Sequence, residues 1–90
     1  MKTGQLVMTR SIVSATNETP QFVREVLSAL DRFKKADWGE MSDDDKSMND
    51  TALENGEERI VATYITTKGK IYIITEWDHS VTTVLFSDEY

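Results

Sequence analysis

The chain has 90 residues, a formal net charge of −6 and no cysteine. Ninety residues support one hydrophobic core and not two, and the absence of thiols excludes disulfides and cysteine-ligated metal sites. The excess of carboxylates argues against direct nucleic-acid binding, which needs Lys and Arg to neutralise phosphates, and no apolar run reaches the roughly 20 residues of a membrane-spanning helix.

The first ten residues lack a continuous apolar stretch of the secretory kind, so the expectation is a soluble, cytoplasmic, single domain over residues 1–90. Leu6 to Val13 reads as a first strand, with Leu6, Met8 and Ile12 at even positions and Val7 and Val13 at odd ones. Thr19-Pro20 then reads as a helix start, threonine as N-cap and proline at the first helical position. Phe22, Val23, Val26, Leu27, Leu30 and Phe33 follow at the 3.6-residue period, the strongest helix signal in the chain. Gly39 is the stop, with Trp38 folding back onto the core.

Ser42 followed by Asp43, Asp44 and Asp45 predicts a second helix, capped by serine and stabilised by carboxylates at the positive end of its dipole. Met48, Ala52 and Leu53 give it a narrow apolar seam, and Asn55-Gly56 closes it in the left-handed manner. From Arg59 the period becomes two. Ile60–Thr66, Lys70–Trp77 and Val81–Phe86 read as three antiparallel strands, with Lys68-Gly69 and Asp78-His79-Ser80 as turns. The predicted architecture is α+β, in the order β-α-α-β-β-β: a four-stranded, mainly antiparallel sheet with two helices on one face.

Three groups of residues carry possible chemistry. Trp77-Asp78-His79-Ser80 holds the only histidine. A small hydrolase or nuclease would use His79 with Asp78 or Glu76, but triads assemble across space rather than along consecutive residues, and turn chemistry accounts for the motif better. The segment from Asp37 to Glu58 holds nine carboxylates against one lysine. A calcium-loop spacing can be laid on Asp43, Asp45, Ser47, Asn49 and Glu54, but Met48 stands where that loop needs glycine. The same carboxylates suit a helix N-terminus, or a surface that imitates nucleic-acid phosphates before a basic groove. The third group is aromatic: Trp38, Trp77, Tyr64, Tyr72 and Tyr90 exceed what one thin core must bury, which suits interface anchors and equally the edges of the core and an uncovered sheet face.

Lys2-Thr3-Gly4-x-Leu6-Val7-Met8-Thr9-Arg10, Asp37-Trp38-Gly39, Asn49-Asp50-x-Ala52-Leu53, Ile73-Ile74-Thr75-Glu76-x-Asp78 and the ending Leu85-Phe86-x-Asp88-Glu89-Tyr90 together resemble a family of small "plasmid-related" proteins. These are carried by mobile elements of Gram-positive gut bacteria and are sometimes labelled restriction-modification subunits. The resemblance spans nearly the whole chain. It implies a mobile-element setting, brings no catalytic residues with it, and implies that the Asp88-Glu89-Tyr90 end is docked. The chain has no cofactor loop and no room for a methyltransferase domain.

The expected function is therefore that of a non-enzymatic accessory protein of a mobile element, without cofactor, that binds a protein partner with a basic surface. Its sharpest form is an acidic inhibitor of a host defence nuclease, of the anti-CRISPR or anti-restriction type. The partner-binding residues would be Asp37, Glu40, Asp43, Asp44, Asp45, Asp50 and Glu54, with Trp38 and Trp77 as anchors. A dimerising regulatory or assembly module, joined through an uncovered sheet edge or face, is the alternative beside the hydrolase. Either a monomer or a homodimer fits.

Overall fold

A computed structural model describes residues 2–56 and 58–90. The order is β1 (Gln5–Met8), α1 (Arg10–Glu18), α2 (Pro20–Lys34), α3 (Asp43–Asn55), β2 (Ile60–Thr66), β3 (Gly69–Thr75), β4 (Val81–Phe86) and a 3₁₀ turn at Ser87–Glu89. The strands lie in the order β1-β4-β3-β2, with β1 parallel to β4 and the remaining pairs antiparallel. The domain is α+β with a mixed sheet. Among the described residues no helix is long and apolar enough to cross a membrane.

The predicted strand Leu6–Val13 is half strand and half helix. Thr9 ends it: its N–H donates to the Val84 carbonyl at 3.1 Å, and its hydroxyl accepts the Ile12 N–H as the N-cap of α1. Ile12 and Ala15, three residues apart, then face the core from a helix. Two short apolar runs separated by a threonine mimic one strand in sequence. The described residues thus hold three α-helices where two were expected.

The second helix starts as predicted. The Thr19 hydroxyl accepts the Phe22 N–H at 3.2 Å and Pro20 opens α2. Phe22, Val26, Ala29, Leu30 and Phe33 are buried, but Leu27, beside Leu6 and Met8 of β1, is 61% exposed. The core joins these residues to Ile12 from α1 and to Ile60, Ala62, Tyr64, Ile71, Ile73 and Val84 from the inner face of the sheet, with Phe22 stacked on Phe86 at 5.7 Å. Glu25 accepts hydrogen bonds from the N–H and hydroxyl of Thr67, and Lys68 pairs with Glu18, so both helices grip the β2–β3 turn.

β1 docks at the edge beside β4 through a buried polar relay. Thr75 and Thr82 are fully buried, their hydroxyls 2.7 Å apart, and the Thr82 hydroxyl donates to the Thr3 carbonyl at 2.6 Å. Thr75 is therefore the donor to Thr82, and every proton in the chain is used. Gly4 follows at φ +63°, where any Cβ would collide with the carbonyls of His79 and Ser80.

β3 ends at Thr75 rather than at Trp77, because the Glu76 N–H pairs with the Val81 carbonyl and the chain turns there. The segment after β4 is docked. The Glu89 carboxylate accepts the Phe86 N–H at 2.8 Å and the Thr9 hydroxyl at 2.9 Å. The Phe86 N–H, with the Thr9 hydroxyl, holds this carboxyl below its ordinary value. Tyr90 packs edge-on against Tyr72 at 5.2 Å, and its hydroxyl accepts from the Arg59 guanidinium at 2.9 Å.

A chain ended at Phe86 loses the partner of the α1 cap and this aromatic contact. Caps are each worth about 1 kcal/mol, and in a domain of this size each kcal/mol moves the melting temperature by about 4–8 °C. A scanning-calorimetry midpoint lowered by several degrees is the expected result; an unchanged midpoint contradicts docking.

Candidate functional site

α3 and the loop before it form one polar assembly along the outer edge of β2. Lys35 and Ala36 turn the chain out of α2, Ala36 at φ +62°. Asp37 then receives the Arg32 guanidinium through both oxygens, at 2.8 and 3.1 Å, and the Gly39 N–H at 3.2 Å. The two-pronged hydrogen bond from Arg32, then the Gly39 amide, hold its carboxyl below the ordinary value of 3.8. The Asp37 carbonyl accepts the Tyr64 hydroxyl at 2.7 Å. Burial pushes the ionisation of that hydroxyl up, so it stays a donor.

Trp38 is buried at 3% exposure, edge-on to Phe33 at 5.5 Å, and its indole N–H donates to Asp50 at 2.8 Å. Beyond it Gly39 bridges Thr63, with the Thr63 N–H bonded to the Trp38 carbonyl and the Glu40 N–H to the Thr63 carbonyl at 2.7 Å. Gly39 at φ +72° is required here, since a Cβ would run into the Thr63 carbonyl. One step along β2, the Asn49 side chain donates to the Val61 carbonyl at 2.7 Å and accepts the Val61 N–H at 3.4 Å. A side-chain amide thus stands in for a neighbouring strand.

The predicted binding residues therefore divide. Asp37, Trp38 and Asp50 are engaged in the fold's own hydrogen bonds, Trp38 buried and the two aspartates still exposed. Glu40, Asp43, Asp44, Asp45 and Glu54 are exposed to solvent. Asp43–Asp45 fill the first turn of α3, where the Ser42 hydroxyl accepts the Asp45 N–H at 3.1 Å. Residues 43–54 thus form a regular helix and not the loop of a calcium site. Glu57, part of the acidic segment, lies outside the described residues.

The seam also differs from expectation: Asn49 and Ala52 face inward, while Met48 is 66% exposed beside Asp44, Ser47, Thr51 and Glu58. Little in the sequence marks Asn49, because a polar residue in an acidic helix looks like surface. The one available signal is its place three residues before Ala52, on the same helical face. Trp77 is 63% exposed in the β3–β4 turn, outside α3 and the loop before it.

In that turn Asp78 accepts both the N–H and the hydroxyl of Ser80, at 3.1 and 2.7 Å. These bonds, the hydroxyl's first, hold its carboxyl below the ordinary value. His79 sits at φ +58°, its N–H bonded to the Glu76 carbonyl and its Nε2 without a hydrogen-bond partner among the described residues. Asp78 thus orients Ser80, not the imidazole. Among the described residues no three His, Asp or Glu side chains are gathered to hold a metal ion.

No family model, curated protein or solved structure matches the chain.

Asn49→Leu strips the Val61 N–H and carbonyl of their partners, and Asp50→Ala leaves a buried indole N–H unpaired. Each is expected to destabilise by about 1–3 kcal/mol, while Glu54→Gln leaves the melting temperature unchanged; equal midpoints for all three contradict the assignment. Asp37 supplies a pH test. Its folded pKa is depressed, so its contribution is full well above 3.8 and is lost as pH falls through the folded value. Asp37→Asn is expected to flatten the acid limb of a melting-temperature profile, and an acid limb as steep as that of the parent chain contradicts it.

Proposed function

We propose that this chain acts by binding another protein, as a non-enzymatic accessory protein of a mobile element, and that it presents the outer face of α3 to a basic surface. The observation that carries the reading is the way α3 is mounted. Asn49, Asp50 and Ala52 fasten it along one side, Ser42 and Gly56 close its ends, and Asp43, Asp44, Asp45, Met48 and Glu54 stand in water.

Carboxylates in a first helical turn stabilise the helix by themselves, so their number alone says little. Met48 adds the distinguishing feature. A large apolar side chain ringed by Asp44, Ser47, Thr51 and Glu58 has the arrangement of an anchor within a polar rim. The helix is prefixed at both ends and along its length, so a partner would meet it without an ordering cost. Acidic residues held this way would compete for a groove built to bind phosphates, which supports the nuclease-inhibitor form of the proposal.

The test is a plasmid-interference assay in cells carrying a CRISPR or restriction nuclease. The parent chain is expected to restore plasmid transfer, and the triple variant Asp43→Asn, Asp44→Asn, Asp45→Asn to lose most of that protection while remaining folded at the assay temperature. Met48→Ala should weaken protection without altering net charge. Full protection by the triple variant removes the charge-based mechanism, and no protection by the parent chain against any nuclease tried removes the inhibitor reading.

A further inference from the structure

The two edges of the sheet are treated in opposite ways. Along β2, Asn49 covers the outward groups of Val61 and the Trp38–Glu40 main chain those of Thr63, which leaves only Ile65 at the end of the strand without such cover among the described residues. The β1 edge has no such cover among the described residues. The Gln5 N–H donates to the Ser80 carbonyl and the Thr9 N–H to the Val84 carbonyl. In a parallel ladder alternate residues bond to the neighbour, so Leu6 and Met8 aim their N–H and carbonyl groups outward.

The side chains of the same two residues line an open apolar groove of about 280 Å³, with Val23, Val26, Leu27 and Leu30 of α2 as its other wall. Leu6, Val7, Met8 and Leu27 are 46, 39, 38 and 61% exposed. An uncovered strand edge beside an apolar groove is a template for another strand.

We propose that this edge pairs with β1 of a second copy, antiparallel, about a two-fold axis through Val7, giving one continuous eight-stranded sheet. The outward groups fix the register. Leu6 exchanges both hydrogen bonds with Met8 of the copy, Met8 with Leu6 of the copy, and the two Val7 residues face each other as a non-hydrogen-bonded pair. Leu6, Met8 and Leu27 of each copy then close the two grooves over one another.

Charge favours a second copy as the occupant. Gln5-Leu6-Val7-Met8 contains no ionisable residue, and this register places Gln5 opposite Thr9 and Gly4 opposite Arg10, so no like charges meet. The acidic helix lies beyond β2, at the far edge. Pairing through β1 puts the two copies of α3 at opposite ends of the new sheet, about seven strand spacings of 4.8 Å apart. At roughly four Debye lengths their repulsion is screened. The four exposed apolar side chains and one strand of backbone make a small contact beside the roughly 1,000 Å² of a specific interface, which sets a weak, concentration-dependent dimer. Nothing here rests on the α3 reading, and the variants below leave α3 untouched.

Sedimentation equilibrium or light scattering from about 10 μM to about 1 mM spans the weak range. The mass is expected to rise from one chain towards two across it. Leu27→Lys, on an exposed helix position, should hold the mass at one chain throughout, and Asp44→Asn should leave the dimer intact. The chain lacks cysteine, so a single Val7→Cys reports the register: two facing residues about 4.5 Å apart lie within disulfide reach and should cross-link on mild oxidation. Ile65→Cys, 61% exposed on the opposite edge, should remain a thiol. A mass of one chain up to 1 mM overturns the proposal and leaves the groove to another occupant. A dimer indifferent to Leu27→Lys, or cross-linking of Ile65→Cys as fast as that of Val7→Cys, overturns it equally.

Discussion

The fold depends on closing the outer edge of β2. A strand at the rim of a sheet exposes unpaired N–H and carbonyl groups, and this chain answers most of them with three devices. The Asn49 amide pairs with Val61, the Trp38 and Glu40 main chain pairs with Thr63, and the Glu25 carboxylate takes the Thr67 N–H just past the strand. Each device comes from a different element. Closing one edge therefore fixes α3, the loop after α2 and α2 itself relative to the sheet. Asn49 matters most, because α3 contributes little else to the core: Ala52 is buried and Leu53 only partly so.

This explains how so acidic a helix is held at all. α3 buries too little apolar surface to be kept in place by the hydrophobic effect alone. Its attachment is polar and specific: two hydrogen bonds between Asn49 and Val61, one donated and one accepted, and one to Asp50 from the buried indole of Trp38. Hydrogen bonds of this kind count chiefly through the cost of leaving their buried partners unmade. The loop that presents Trp38 is held in turn by Asp37, between the Arg32 guanidinium and the Gly39 amide, while its carbonyl secures Tyr64. The Arg32–Asp37 pair is partly exposed, so its direct contribution to stability is small. Its role is to set the geometry that delivers Trp38.

Much of this was legible in the sequence and some was not, for definite reasons. The caps at Thr19 and Ser42, the left-handed stop at Gly56 and the strands Ile60–Thr66 and Val81–Phe86 follow from local rules, which act within a few residues. The helix Arg10–Glu18 did not, because Leu6-Val7-Met8 and Ile12-Val13 flank one polar stretch and imitate a single strand; only the Thr9 cap with Ile12 and Ala15 distinguishes the two. The parallel docking of β1 is non-local and has no sequence period. Of the nine residues expected to bind a partner, the exposed acids of α3 were readable as surface. Asp37, Trp38 and Asp50 were not readable as structure, since each depends on a partner 5 to 12 positions away.

The Trp77–Ser80 turn shows the same non-local control. His79 adopts a left-handed backbone, sparsely populated by residues other than glycine and costing of order 1 kcal/mol or more. The constraint that imposes it is visible on both sides. Before it, the His79 N–H must reach the Glu76 carbonyl to close the turn; after it, the Ser80 carbonyl must accept the Gln5 N–H at 2.9 Å to begin the β1 ladder. Gly4 lies against the carbonyls of both His79 and Ser80, so the approach of β1 leaves that backbone no slack. Asp78 then holds the conformation through Ser80. The strain in this turn is accounted for by sheet assembly: the turn is shaped so that a short parallel strand can dock beside β4, and that docking is what places Leu6 and Met8 on the open edge.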